Sequence, residues 1–153
     1  MANVNTNFIP KRGVWVFELK PMKASTAMAQ GAAVGIEISS NTTTGNLTLM
    51  GVENAAGADF VGILQEAITS GDADYATSGK LKLVAIPQDS EARAEFTVGA
   101  GTFTAADVGK TVEFHSDSIS LAVDIAGKGA RITKYLSSSR GECQFTLPAT
   151  ETA

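Results

Sequence analysis

The residues that could do chemistry in this chain are few and stand apart from one another. The sequence of 153 residues holds one Cys, Cys143, and one His, His115. Ser116 and Asp117 follow His115, but neighbours in an extended run point to opposite faces and cannot assemble a catalytic triad. Cys143 lies in a run of alternating apolar residues with no activating neighbour, which predicts a buried structural thiol. We therefore expect a protein that is not an enzyme.

Two glycine-containing stretches match parts of phosphate-binding motifs. Gly109-Lys110-Thr111 has the end of a P-loop, but that motif needs a further glycine at the position of Thr104 to wrap phosphates with backbone N–H groups. Gly99-Ala-Gly101 begins like a dinucleotide fingerprint, yet it lacks the third glycine and opens no long helix. Both stretches are predicted to be tight turns between strands, with no nucleotide cofactor.

One acidic cluster offers oxygen ligands of the kind that Ca²⁺ prefers. It contains Glu66, Asp72 and Asp74, but Ala76 and Ser78 break the alternation of ligands that a calcium loop requires. The stretch from Ser70 is predicted to be a solvated turn instead. We expect neither a metal nor a cofactor in this protein.

Short apolar runs separated by turns rich in glycine, serine and aspartate make up most of the chain. Such spacing is typical of a β-sandwich or a β-barrel. Earlier in the chain we predict strands at Ala33–Ile38 and Leu47–Val52, a polar loop at Ser39–Asn46 and an Ala/Gly turn at Glu53–Asp59. Thr104 is predicted to cap one helical turn that ends at Gly109. The apolar runs after the turn are Phe60–Leu64, Lys80–Ile86, Ala94–Val98, Thr111–Phe114, Ile119–Val123, Ala130–Leu136 and Cys143–Leu147.

These patterns together predict an all-β fold. We expect a small barrel or β-tulip-like sandwich over residues 29–148, with at most one or two short helices. Residues 1–28 are predicted to be an extended N-terminal arm, and residues 149–153 a flexible C-terminal tail. No internal repeat of fixed period is visible in the sequence.

The run from Lys80 to Ile86 is apolar on parts of both faces. Leu81, Leu83 and Ala85 fall on one face, while Val84 and Ile86 share the other with two lysines. A strand of this kind is covered on both faces, as in a barrel or a contact between subunits.

Composition and charge exclude several classes of protein. Hydrophobic residues make up 44% and charged residues 18%, so the chain should fold rather than stay disordered. No apolar run approaches the roughly 18–20 residues of a membrane helix, and no secretory signal is visible, so we expect synthesis in a cytoplasm. Residues 51–127 hold twelve acidic and four basic residues, a balance of −8, within a net charge of −4. Nucleic-acid binding, which needs a concentrated basic face, is not expected.

The first 28 residues differ from the rest of the chain. Pro10 and Pro21 favour extended backbone, and the only Trp lies between them. Such an arm packs on its own domain or reaches a neighbouring subunit, and we expect the second. Basic side chains would fit the charge of an acidic partner surface, and aromatic ones would anchor the contact. The residues predicted to hold the partner are Phe8, Ile9, Pro10, Lys11, Arg12, Trp15 and Phe17.

About two-thirds of the chain resembles the small β-rich decoration proteins, or cement proteins, of tailed bacteriophages. The resemblance lies in the order of strands and turns rather than in one diagnostic motif. The stretches that carry it are Phe60-Val-Gly-Ile-Leu-Gln-Glu66, Asp72-Ala-Asp-Tyr75, Gly79-Lys-Leu-Lys-Leu-Val84 and Phe103-Thr-Ala-Ala-Asp-Val-Gly-Lys-Thr-Val112. The segment from Ala24 to Gly57 is longer than the simplest members of that family have, which leaves open a role elsewhere in the virion.

The resemblance implies a structural virion protein. Its expected partners are the major capsid protein and further copies of itself, as a homotrimer on the outer capsid surface. It would stabilise the capsid by clamping neighbouring subunits, with an arm that orders on docking. The alternative is a carbohydrate- or protein-binding β-module of a phage tail or fibre.

Overall fold

The structure is a computed structural model that describes residues 7–39, 42–50, 60–127 and 129–145. A single turn of 3₁₀ helix, Ala105–Asp107, lies between two of the strands. The all-β fold class predicted from the sequence is confirmed. Within these residues the chain forms eleven strands: β1 Ile9–Arg12, β2 Trp15–Met22, β3 Ala33–Ser39, β4 Thr42–Leu49, β5 Phe60–Leu64, β6 Lys80–Pro87, β7 Arg93–Ala100, β8 Thr111–Phe114, β9 Leu121–Ala126, β10 Ala130–Ser137 and β11 Arg140–Phe145.

Strands β2 to β6 close into a five-stranded barrel in the order β2-β4-β3-β5-β6. β2 and β6 pair antiparallel along their whole length, from Trp15 opposite Pro87 to Met22 opposite Lys80. The barrel closes through a parallel contact in which Met22 lies opposite Leu47 of β4. This first barrel has its own core, which contains Met22, Met28, Val34, Leu47, Leu64, Ile68 and Val84.

Strands β7 to β11 form a second closed circuit. β7 pairs with β11 along one edge, and on its other edge Val98 lies opposite Leu121 of β9 in a parallel contact. Antiparallel pairs of β9 with β8, β8 with β10 and β10 with β11 complete the ring. These pairings close the five strands into a second barrel.

The two barrels share one topology. When the strands of each barrel are numbered in chain order, both rings run 1-3-2-4-5. In both rings strands 1 and 3 are parallel and every other pair is antiparallel. The single barrel expected over residues 29–148 is thus a pair of barrels, joined between Pro87 and Arg93. The repeat is one of strand connectivity, which a search for periodic residues does not detect.

Aromatic rings fill the junction between the barrels. Phe60 of the first barrel stacks on Phe145 of the second with ring centroids 4.3 Å apart. Phe8 lies edge-on to Phe145 at 5.3 Å and to Phe114 at 5.8 Å. Each such pair adds about 0.5–1.5 kcal/mol beyond the area that it buries. The two barrels are consequently packed together through one continuous core.

The N-terminal segment is built into both barrels over its described part. β1 pairs with Arg93–Glu95 of β7, and β2 is a strand of the first barrel. The expected arm is therefore absent from residues 7–28, which pack on their own chain, and no structural boundary falls at residue 28. The physical reason is that β9 covers only the later part of one β7 edge. The earlier part of that edge is open for pairing with β1.

Two local predictions meet different outcomes. The polar loop expected at Ser39–Asn46 is wrong in its second half, because β4 begins at Thr42; β-branched threonine fits a pleated strand well. The cap at Thr104 is confirmed. Its hydroxyl accepts the N–H of Ala106, and the Asp107 carboxylate accepts the N–H of Thr104 at 2.9 Å. The turn at Glu53–Asp59 and the tail at residues 149–153 lie outside the described residues.

Candidate functional site

Two of the acidic residues that the sequence raised as candidates for chemistry, Asp72 and Asp117, hold turns in the structure. Asp72 accepts hydrogen bonds from the backbone N–H of Thr69 at 3.0 Å and from its hydroxyl at 2.9 Å, and these bonds lower the pKa of Asp72. Asp117 closes another turn by accepting the N–H of Ile119. Among the described residues no group of three or more His, Cys, Asp and Glu is placed to hold a metal ion.

The single thiol is a core residue. Cys143 lies on β11, fully buried, opposite Ala94 of β7. Burial raises the pKa of the Cys143 thiol far above its usual value, because a thiolate would lose its hydration there. Cys143 therefore contributes packing, as its alternating apolar surroundings predict.

The seven residues predicted to hold a partner have different locations in the structure. Phe8 is fully buried, and its backbone N–H donates to the carbonyl of Gly31 at 3.1 Å. Ile9 and Pro10 are half-buried in β1. The structure thus removes Phe8 from any outer contact surface. The remaining four residues divide between two surfaces: Lys11 and Arg12 lie on one, and Trp15 and Phe17 on the other.

The first surface, the basic corner, consists of Lys11, Arg12 and Val14 around Gly13. The Arg12 guanidinium holds the Glu142 carboxylate through two hydrogen bonds of 2.7 and 3.0 Å. The side chains of the basic corner remain partly exposed: 45% for Lys11, 59% for Arg12 and 54% for Val14. The corner therefore presents two cations and one apolar side chain to solvent.

The backbone of the basic corner is held rigidly. Gly13 has a φ of 82°, and a Cβ at this position would lie 2.4 Å from the Cα of Ala92. Only glycine fits such a site. The indole N–H of Trp15 donates to the carbonyl of Arg12 at 2.9 Å. The backbone of the corner is consequently restrained in the free protein by Gly13 and by the hydrogen bond from Trp15.

The second surface, the apolar face, is the outward side of β2 and β6. Residues directly opposite each other in an antiparallel pair share a face. Because Met22, Val84 and Ile86 point into the first barrel, the residues that alternate with them along β2 and β6 point outward. The apolar face contains no charged residue: its members are Trp15, Phe17, Leu19 and Pro21 on β2, and Leu81, Leu83, Ala85 and Pro87 on β6.

Leu19 and Leu81 are the two most exposed residues of this face, and neither is among the contact residues predicted from the sequence. They are 58% and 56% exposed, close to the 54% of Phe17. A signal for Leu81 was present, because its run is apolar on parts of both faces. The sequence around Leu19 carries no comparable signal, because the exposure of Leu19 depends on how far along β2 the second barrel extends.

The outward side of β7 and β11 in the second barrel has the opposite character, and we call it the charged face. Its members are Glu95, Thr97, Arg140 and Glu142. Arg140 pairs with Glu95 at 2.6 Å, and Lys11 approaches the same carboxylate at 3.4 Å. Partial burial alone would raise the pKa of Glu95, but the hydrogen bond and charge of Arg140 outweigh it and lower that pKa.

An open cleft lies at one end of the second barrel. Its volume is about 750 Å³, and its lining includes Thr102, Lys110 and Asp124. Lys110 is held by Asp107 through an ion pair of 2.8 Å. The lining contains no aromatic side chain, so a ligand in the cleft would be held by polar contacts rather than by stacking on a ring.

Comparisons with protein families, with curated proteins and with solved structures found no match to this chain. No helix within the described residues is long and apolar enough to cross a membrane. The function is therefore inferred from the residues and geometry of the chain.

Proposed function

We propose that this protein is a structural component of a tailed-phage virion. It binds the outer surface of the capsid through the major capsid protein and stabilises the shell by clamping neighbouring subunits. It is made in the host cytoplasm, and no catalytic step is part of the role. The observation that carries the proposal is the basic corner, a rigid group of exposed cations and one apolar residue on a two-barrel body.

The rigidity of the basic corner favours docking. A disordered arm would lose conformational entropy when it binds, and its contacts would have to outweigh that loss. The corner is already fixed by Gly13 and by the hydrogen bond from Trp15, so little further ordering is needed. The resemblance implies an arm, expected over residues 1–28, that orders on the capsid; in this proposal, residues 7–28 dock as an already folded part of the protein.

The charge of the basic corner indicates the partner surface. Lys11 and Arg12 are paired with Glu95 and Glu142, yet about half of each basic side chain stays in solvent. An acidic patch on a capsid subunit would gain from these cations in orientation and in association rate. Each contact is modest, and several copies that engage one shell would add avidity.

The test is co-sedimentation with phage capsids that lack their decoration protein. The corner variant carries Lys11→Gln and Val14→Ser. The matched control carries Lys134→Gln and Val108→Ser, because both of these residues are exposed on the second barrel. We expect the intact protein and the control to pellet with capsids. The corner variant should need at least about tenfold more protein for half-saturation.

Two outcomes would contradict the proposal. Intact protein that stays in the supernatant at saturating capsid would remove the capsid role. A corner variant that pellets like the intact protein would show that the basic corner is not the contact. Thermal melting of each variant confirms that it is folded.

The cleft of about 750 Å³ favours the second candidate, a carbohydrate- or protein-binding module of a tail or fibre. Thr102, Lys110 and Asp124 offer polar groups to a ligand there. A glycan array and a titration with the bound glycan would test it. Binding that is lost in Asp124→Ala, with capsid binding absent, would favour this candidate over the first.

A further inference from the structure

The apolar face is covered at one end and open at the other. At the covered end Ala85 is fully buried, and Trp15 lies edge-on to Phe145 of the second barrel at 6.4 Å. At the open end Phe17, Leu19 and Leu81 are each more than half exposed. The open end therefore continues an established barrel–barrel contact along the same two strands.

The repeat of topology supplies an internal comparison for this face. β2 and β6 are strands 1 and 5 of the first barrel, and β7 and β11 are strands 1 and 5 of the second. On the second barrel these strands carry charged residues, and the chain itself neutralises them through Lys11 and Arg12 of β1. The same position on the first barrel has neither charges nor a β1 equivalent. The shared barrel topology therefore does not by itself produce an apolar face. The face is particular to β2 and β6 of the first barrel.

We propose that a second copy of this chain occupies the open end of the apolar face. Continuity with the barrel–barrel contact supports this occupant, because the surface already packs against a barrel of the same topology. The composition supports it as well. Interfaces that form permanently between identical chains are more apolar than contacts that are made and broken, and charged residues are depleted at their centres. Two such faces pack as aligned sheets about 10 Å apart.

This proposal does not depend on the capsid role. Self-association through the apolar face is a property of the free protein, whereas the capsid contact lies at the basic corner. Packing of two identical faces gives a twofold dimer, which is a different assembly from the homotrimer that the phage resemblance implies. Measurements without capsids therefore test the two proposals separately.

The experiment is light scattering coupled to size exclusion, over a wide range of concentrations of the full chain. The disrupting variant is Leu19→Asp, and the matched control is Ile125→Asp. Leu19 and Ile125 are 58% and 52% exposed, so the two variants make similar changes at sites on different barrels. A second disrupting variant, Leu81→Lys, changes the neighbouring strand. Circular dichroism establishes that each variant is folded.

We expect the intact protein and Ile125→Asp to show a multiple of the 15.8 kDa chain mass. Leu19→Asp and Leu81→Lys should each raise the dissociation constant by about thirtyfold or more, because a charge would be buried at the centre of the contact. A 15.8 kDa species at every concentration of intact protein would overturn the proposal. So would an oligomer that both disrupting variants leave unchanged. If Leu19→Asp does not fold, Leu81→Lys alone decides between these outcomes.

Discussion

The substitution Phe8→Ala tests whether the N-terminal segment is an internal part of the fold. Phe8 is fully buried at the junction of the barrels, with ring contacts to Phe114 at 5.8 Å and Phe145 at 5.3 Å. Truncation of a buried Phe to Ala costs about 3–5 kcal/mol in free energy of unfolding. The two aromatic contacts favour the middle of that range, about 4 kcal/mol.

Urea unfolding followed by Trp15 fluorescence measures this loss. Trp15 is the only Trp of the chain and packs against Phe145, so its emission reports on the junction. With a denaturant slope of about 2 kcal/mol/M, a loss of about 4 kcal/mol lowers the urea midpoint by about 2 M. The control Val14→Ala changes a residue that is 54% exposed and should stay within about 0.5 kcal/mol of the intact protein.

A loss below about 1 kcal/mol for Phe8→Ala would refute the reasoning. It would mean that Phe8 is not docked in the free protein. The segment would then be the arm that the sequence analysis expected. A large loss in both variants would instead indicate that the N-terminal segment is sensitive to any change, and the comparison would not support burial of Phe8.

Three further predictions follow from the same contacts. A positive φ costs a non-glycine residue roughly 1–2 kcal/mol in free energy of unfolding, and Gly13→Ala should cost well over this because the new Cβ would lie 2.4 Å from backbone. Gly109 has a φ of 98° with no atom near its Cβ position, so Gly109→Ala should show only the cost of the positive φ in thermal melts. The lowered pKa of Glu95 gives stability that is present above its usual value of 4.5 and is lost as the pH falls through the lowered value. Urea midpoints measured against pH should therefore fall less steeply in acid for Glu95→Gln, and an unchanged slope would count against the Arg140 contact. Cys143, buried with a raised pKa, should react with a thiol reagent only after denaturation; rapid labelling of native protein would contradict the buried position.

Most strands could be predicted because their evidence is local. The runs at Phe60–Leu64 and Thr111–Phe114 match β5 and β8, and Lys80–Ile86 and Ala130–Leu136 end one residue short of β6 and β10. Alternation of apolar residues and the turns between runs suffice for this, since side chains on a strand point alternately to its two faces. The cap at Thr104 is local in the same way.

Closure into two barrels could not be predicted in this manner. Each ring closes through a short parallel contact, Met22 with Leu47 in the first barrel and Val98 with Leu121 in the second. Such contacts join strands that are distant along the chain, and no residue pattern within one strand specifies the partner. The same limit explains why one barrel was expected where two are present.

The candidate site shows most clearly which features depend on the sequence and which depend on the tertiary structure. By itself, the sequence determined that the chain is β-rich, that reactive side chains are sparse, and that the first 28 residues concentrate aromatic, basic and proline residues. Only the tertiary structure decided that Phe8 is fully buried while Phe17 is 54% exposed. The reason is physical: composition fixes how apolar a segment is, but burial depends on which distant strands pack over it. The second barrel covers Phe8 and stops before Phe17, and that limit creates the open end of the apolar face.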